Sequence, residues 1–154
     1  MSQSCMEKIL LGWREWLALP DLGIPAIKAK VDTGAKTSAL HAFELERFQR
    51  QQKDYVRFAL HPLQLRDTPA LECYAPLLDQ RMVSDSGGHR ELRYVIETRL
   101  VMRGHEWPIE LTLTNRDSMR FRMLLGRTAM ENKALVDPAA SYYMGKLNYR
   151  KIYA

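Results

Sequence analysis

The sequence predicts an all-β domain, a sheet closed or sandwiched on itself, with one short helix near its C-terminal end. Three observations carry this. Apolar residues recur with a period of two in one run after another, as at Val56, Phe58 and Leu60, at Ile109, Leu111 and Leu113, and at Phe121, Met123 and Leu125. Turn residues punctuate these runs at short intervals, as in Pro20-Asp21-Leu22-Gly23 and Arg103-Gly104-His105. A helix start signal is convincing at one place, Thr128 ahead of residues 129–135. Many short strands with so little helix to cover them bury their apolar faces by packing sheet on sheet.

Taken in order, residues 1–7 read as a loose leader, and residues 8–19 as a strand containing Trp13 and Trp16. Pro and Asp early and Gly last make residues 20–23 a turn. Residues 24–32 return with Ile27, Ala29 and Val31 on one face. Residues 38–48 stay extended, and 49–54 form a polar loop. The alternation around Val56 marks a half-buried strand that stops at His61-Pro62. Residues 63–69 are a loop, and 71–83 a strand bent at Pro76. Two glycines make residues 84–89 a flexible hairpin tip. Residues 91–102 and 107–114 are strands joined at Gly104. Residues 115–118 turn the chain into the last alternating run, which ends in Leu124-Leu125-Gly126-Arg127. The helix follows and stops at Val136-Asp137-Pro138. No repeat or linker divides residues 1–154, so a single domain is expected, its core about 8–138 and its tail, 139–154, basic and rich in Tyr.

Composition narrows the function. A chain of 154 residues can bury a real core. Two cysteines, Cys5 and Cys73, make no disulfide scaffold, so a reducing, cytoplasmic setting is expected. The apolar run 9–19 is interrupted by Arg14 and Glu15, which argues against a signal sequence or a membrane span. The net charge of +5 favours acidic partners. No zinc finger, basic region or aromatic-basic RNA motif appears, so nucleic acid is not an expected partner.

The stretch that organises the chain is Val31-Asp32-Thr33-Gly34-Ala35-Lys36. It puts a carboxylate at the end of an apolar strand, followed by a small hydroxyl residue and a glycine that lets another backbone or a water come close. That suits a catalytic aspartate, although a tight turn capped by an Asp accounts for the tripeptide equally well.

Read together, Asp32-Thr33-Gly34-Ala35 and the late Leu124-Leu125-Gly126-Arg127 ahead of a short helix resemble the retropepsin family of single-domain aspartic proteases. The resemblance covers most of residues 8–136. More closely, Val31–Ala42, Thr112-Leu113-Thr114-Asn115-Arg116, Met123–Arg127 and Val136-Asp137-Pro138 are similar to a bacterial family of small retropepsin-like proteins. Its members often carry the label "ATP-dependent zinc protease" and are associated with RimK-type ATP-grasp ligases, which add glutamate to proteins or peptides. The resemblance implies a closed β-barrel of the acid protease type and an aspartic peptidase activity on a peptide or protein. It also implies a homodimer, because proteolysis of this kind needs two carboxylates sharing one proton around a water, and the chain supplies one Asp-Thr-Gly.

On that footing Asp32, Thr33 and Gly34 are the expected catalytic residues. Ala35, Lys36, Gly87, Gly88 and Arg93 are expected at the substrate, with Tyr94 also near the cleft. Leu125, Gly126 and Arg127 are expected beneath the Asp32 loop. Ala35 offers no hydroxyl to the carboxylate, so a mildly acidic rather than strongly acidic optimum follows. Lys36 departs from the retroviral pattern, which has an acidic residue there to pair with the arginine of Gly-Arg. It either favours glutamate-rich or glutamate-modified substrates or simply points to solvent. Residues 84–89 are either a flap that closes over substrate or a plain surface hairpin. A binding module for acidic tails, working beside a ligase, is the alternative function.

Neither half of the zinc-protease label is written in the chain. His105-Glu106 lacks the second histidine of His-Glu-x-x-His, and Pro108 would break the helix that motif needs. No metal or other cofactor is expected, and no phosphate-binding glycine loop is present. Asp85 and Asp137 are the acids that would have to stand in were the chain to act alone.

Overall fold

The computed structural model describes residues 8–84, 87–115 and 120–154. The strands are β1 (Ile9–Leu11), β2 (Arg14–Leu19), β3 (Ile24–Val31), β4 (Ser38–His41), β5 (Phe43–Arg50), β6 (Lys53–Leu60), β7 (Leu71–Ser84), β8 (Arg90–Met102), β9 (His105–Thr114), β10 (Met123–Leu125) and β11 (Ala134–Val136). The helices are α1 (Arg127–Met130) and α2 (Tyr149–Ile152), each a single turn. The fold is all-β.

Among the described residues, nine strands hydrogen-bond in the order β2-β3-β10-β4-β9-β8-β7-β6-β5, and β1 pairs with β11. Strand β2 meets β8 as well, with Ala18 opposite Val101. Hairpins account for β2–β3, β5–β6, β7–β8 and β8–β9. The middle of the sheet is made differently: β10 lies parallel to β3 and antiparallel to β4, and β4 parallel to β9. Inward positions of these strands form one core, in which Leu40, Phe58, Leu60, Ile96 and Leu111 are fully buried. Each such side chain contributes about 1.5–3 kcal/mol of transfer free energy.

Several expected boundaries move, for identifiable reasons. Residues 8–19 are two strands, because the C-terminal segment crosses them: Trp13 N–H donates to Ala140 O at 2.8 Å, and a Cβ on Gly12 would lie 2.2 Å from that same oxygen. The extended run 38–48 breaks at Ala42, whose N–H goes to Thr114 O, and β5 leaves to pair with β6. The polar loop 49–54 is a two-residue turn, with Gln51 and Gln52 both at positive φ and Arg50 opposite Lys53. Glutamines are not the residues that normally announce such a turn. Pro76 stays in the ladder opposite Tyr55, and the irregularity of β7 falls between Leu77 and Asp79, where its partner changes from β6 to β8.

The helix expected at 129–135 is shorter and earlier. Gly126 is its N-cap rather than Thr128, and residues 134–136 extend to pair with β1. A second helical turn, α2, stands in the tail, its N-cap Asn148 accepting from Lys151 N–H. The tail packs its apolar side, with Tyr142, Leu147, Tyr149 and Tyr153 covering Trp16, Ala26 and Leu63, and leaves Lys146, Arg150 and Lys151 exposed. A fully buried carboxylate pins it. Glu15 accepts from Gly12 N–H at 2.6 Å, Tyr143 N–H at 2.9 Å and Met144 N–H at 3.0 Å. Among the described residues no helix is long and apolar enough to cross a membrane.

Candidate active site

Strand β3 delivers Asp32 at its end, and the chain around that residue is fixed mainly by its backbone. Val31 lies opposite Leu125 of β10, and Asp32 N–H donates to Leu125 O at 2.9 Å. The chain then turns: Ala35 N–H reaches Asp32 O at 3.3 Å, and Gly34 N–H donates to the carboxylate oxygen Oδ1 at 2.9 Å. A Cβ on Gly34 would come within 3.2 Å of that oxygen, so glycine keeps the approach to the carboxylate open.

The limb leaving the turn is stitched to α1. Arg127 N–H donates to Ala35 O at 2.7 Å and Thr128 N–H to Lys36 O at 3.0 Å. Gly126 lies flat against this limb; a Cβ there would fall 2.5 Å from the carbonyl carbon of Thr37 and 2.9 Å from Ser38 N. No other residue fits without moving backbone. The buried Ser38 hydroxyl accepts Gly126 N–H at 3.0 Å, and Arg127 Nη1 donates to Thr33 O at 3.1 Å. Leu125 and Gly126 are buried beneath the turn, and Arg127, with no acidic residue at position 36, binds a backbone carbonyl of the turn instead.

The half-buried Asp32 carboxylate faces a groove of about 670 Å³. One wall is Gly34, Ala35, Lys36 and Thr37; the other is residues 81–84 of β7 with Arg93 of β8. The hairpin β7–β8 thus stands over the aspartate, with Ser84 opposite Arg90 near its tip. Its contribution comes from Ser84, the first residue of the expected tip, and from Arg81, Met82 and Val83, which sequence reasoning passed over, and not from Gly87 and Gly88, which lie beyond the groove. Residues 85 and 86, Asp85 among them, lie outside the described residues, as do 116–119 of the expected turn.

Arg93 is a buried guanidinium at the groove. Its Nε donates to Glu91 Oε1 at 2.7 Å and its Nη1 to Thr112 Oγ1 at 3.3 Å. Thr114 Oγ1 donates to the same Glu91 oxygen, and Thr112 Oγ1 to Ser38 O. Hydrogen bonds therefore run from Arg93 to the limb that carries Asp32. Tyr94 does not reach this groove: one residue on along a strand, it faces the opposite side, beside Leu45 and Leu92.

A second groove, of about 370 Å³, was not foreseen. Lys30, two residues before Asp32, lines it with Arg14, Arg120 and Leu124, around Trp13 and Phe121, whose rings meet edge to face at 5.8 Å. Among the described residues three cations and no carboxylate border it. The available signal was the outward parity of Lys28 and Lys30 on the strand that ends in Asp32. Asp137 borders neither groove. It holds a turn, accepting from Ala139 N–H at 2.9 Å and from the Tyr143 hydroxyl at 3.0 Å. Among the described residues no three His, Cys, Asp or Glu side chains gather as a metal would require.

Comparison with known proteins gives three findings. The family model described as "RimB-like: Retropepsin-like aspartic endopeptidase RimB" matches residues 10–146. A protein of Shewanella halifaxensis named "Probable alpha-L-glutamate ligase" is 50% identical over 142 residues, 92% of this chain and 31% of its own length. One of the same name from Desulfotalea psychrophila is 47% identical over 148 residues, 96% of this chain and 32% of its own. The chain thus spans about a third of the length of these relatives. The crystal structure of Lpg0085 from Legionella pneumophila, a protein of unknown function, superposes with a TM-score of 0.74 at 24% identity. That match covers 90% of this chain and 99% of the other, and shows likeness of fold.

Proposed function

From the premise that this chain belongs to the RimB-like, retropepsin-like family, we propose that it is an aspartic endopeptidase whose second catalytic carboxylate is the Asp32 of another copy. Two Asp32 turns meeting across a two-fold axis would hold one water between them. One carboxylate, ionised, takes a proton as the water oxygen attacks the peptide carbonyl carbon. The other, protonated, donates to the carbonyl oxygen, and the C–N bond breaks as the departing nitrogen gains a proton. Thr33, beside the axis, joins the two turns. The closed barrel of the acid protease type belongs to the same reading and is supported by the return pairing of β2 with β8. So do the single domain spanning residues 1–154 and a cytoplasmic setting.

The observation that carries the proposal is the Asp32 turn itself. A half-buried carboxylate receives a backbone N–H from Gly34, opens onto a groove, and is held by backbone bonds from β10 and α1. Such a carboxylate is placed before substrate arrives, as catalysis by positioning requires. Lys30, Arg14, Arg120 and Lys36 around the two grooves favour an acidic substrate. A protein or peptide extended with glutamate fits, in keeping with relatives named as glutamate ligases. Replacing Asp32 by Asn should lower cleavage of such a substrate about a thousandfold, and a statine-type inhibitor should block the wild type. Equal rates with Asp32→Asn would remove the reading.

The relatives' name favours one second reading: a non-catalytic module that holds acidic chains for a RimK-type ligase. It predicts no cleavage by the wild type and full binding by Asp32→Asn.

A further inference from the structure

The outer faces of β2 and β3, the loop after β6 and the C-terminal segment together present a run of cations with no carboxylate partner among the described residues. Lys28 Nζ lies 5.4 Å from the Trp16 ring and 5.7 Å from the Tyr142 ring. The guanidinium of Arg14 sits 4.9 Å from the other ring contact of this group, Tyr142, and Lys146 Nζ 5.3 Å from it. Arg66 and Arg150 lie 5.6 Å and 5.7 Å from the Tyr149 ring. Rings hold these side chains in place without cancelling their charge. The run starts at the second groove: Lys30, which lines it, and Lys28 project from the same face of β3, about 7 Å apart. That is the spacing of alternate carboxylates along an extended acidic chain.

We propose that Lys28, Arg66 and Arg150, continued to the second groove by Arg14 and Lys30, form a track that binds an acidic polypeptide outside the catalytic groove. It rests on the peptidase reading for the chain's identity as substrate, but not for its binding. The rings decide between an acidic peptide and nucleic acid. Trp16 is buried and stacked on Tyr149 at 5.7 Å, and Tyr142 has three cations about it. Arg14 likewise sits over Trp13, and Arg66 and Arg150 over Tyr149, so these rings seat cations rather than standing free for bases to stack on, which is how single strands are usually held. Side-chain carboxylates need the cations alone.

The test is fluorescence anisotropy of labelled oligo-glutamate with Asp32→Asn protein, which cannot consume the probe. Changing Lys28, Arg66 and Arg150 to Gln keeps their apolar stems over the rings. It should weaken binding about tenfold, as three exposed charge contacts of ordinary strength imply. Changing Arg47, Arg50 and Lys53 to Gln at the tip of the β5–β6 hairpin removes the same charge elsewhere and should leave binding as it was. Equal losses in both variants, or none in the first, would overturn the track. So would a single-stranded RNA of equal charge that binds more tightly and is lost in the first variant. With active protein the first variant should raise KM for a long acidic peptide and leave kcat as it was. Absence of cleavage by the wild type would instead count against the peptidase reading and leave the binding result standing.

Discussion

The arginines of β7–β9 and the cations around β2, β3 and the tail are held in opposite ways. Arg99 lies between Asp21 at 2.8 Å and Glu106 at 3.0 Å, and Arg81 between Asp79 at 2.9 Å and Glu110 at 2.6 Å. Arg93 meets Glu91. Across the molecule, Arg14, Lys28, Arg66, Lys146 and Arg150 rest on aromatic rings instead. In the first group five carboxylates answer three guanidiniums; the second keeps its charge and is available to an anion. Among the described residues no ion pair answers the cations of this second group. A polyanion should be drawn to that side, at a rate that falls with salt.

The largest effect is expected from breaking the frame of the charged side. In Glu15→Gln an amide N–H₂ replaces one of two oxygens that together receive three backbone N–H groups. At least one buried donor loses its acceptor, and the loss should be about 3 kcal/mol. Thermal unfolding should show it as a drop of about 10 °C, and oligo-glutamate binding should weaken with it as the tail loosens. A smaller effect sharpens the comparison at its border. Lys36 is an exposed cation of the Asp32 groove, and Lys36→Glu should raise KM for glutamate-rich peptides about tenfold while leaving a neutral peptide little changed.

The smallest effect belongs to the ion-paired side. Hydrogen bonds from Arg99, chiefly from its side chain, hold the Asp21 carboxyl below the usual carboxylate range. A carboxyl depressed in the folded state adds stability above its unfolded pKa, near 3.9, and loses it as pH falls through the folded value. Asp21 is largely exposed, so Asp21→Asn should cost less than about 1 kcal/mol at neutral pH. That gap in urea midpoint should close in acid, and oligo-glutamate binding should be untouched.

Much of this was legible in the chain. Period-two alternation gave the strands from β6 to β10, because each has one face in the core. Asp32-Thr33-Gly34 and Gly126-Arg127 could be paired as motifs although 94 residues separate Thr33 from Arg127, and the structure joins them by a hydrogen bond. What local pattern could not show came from contacts between distant segments. The tail crossing Gly12 and Trp13 splits the first strand, and β1 draws residues 134–136 out of the expected helix. The groove wall at residues 81–83 was missed because glycines mark a hairpin's tip and not the strand that overhangs the site. The ring-held cations were missed because Arg66 and Arg150 share Tyr149 across 84 residues of sequence.

The central claim is that Asp32 acts as a pair drawn from two copies. The most direct measurement titrates Asp32→Asn protein into a fixed amount of wild type, with time for exchange, and follows cleavage of a glutamate-extended peptide. Mixed pairs carry one catalytic carboxylate, so the rate should fall by about half at equal amounts and continue towards zero in excess. A rate that stays constant as the variant is added would show that each chain works alone and would contradict the account.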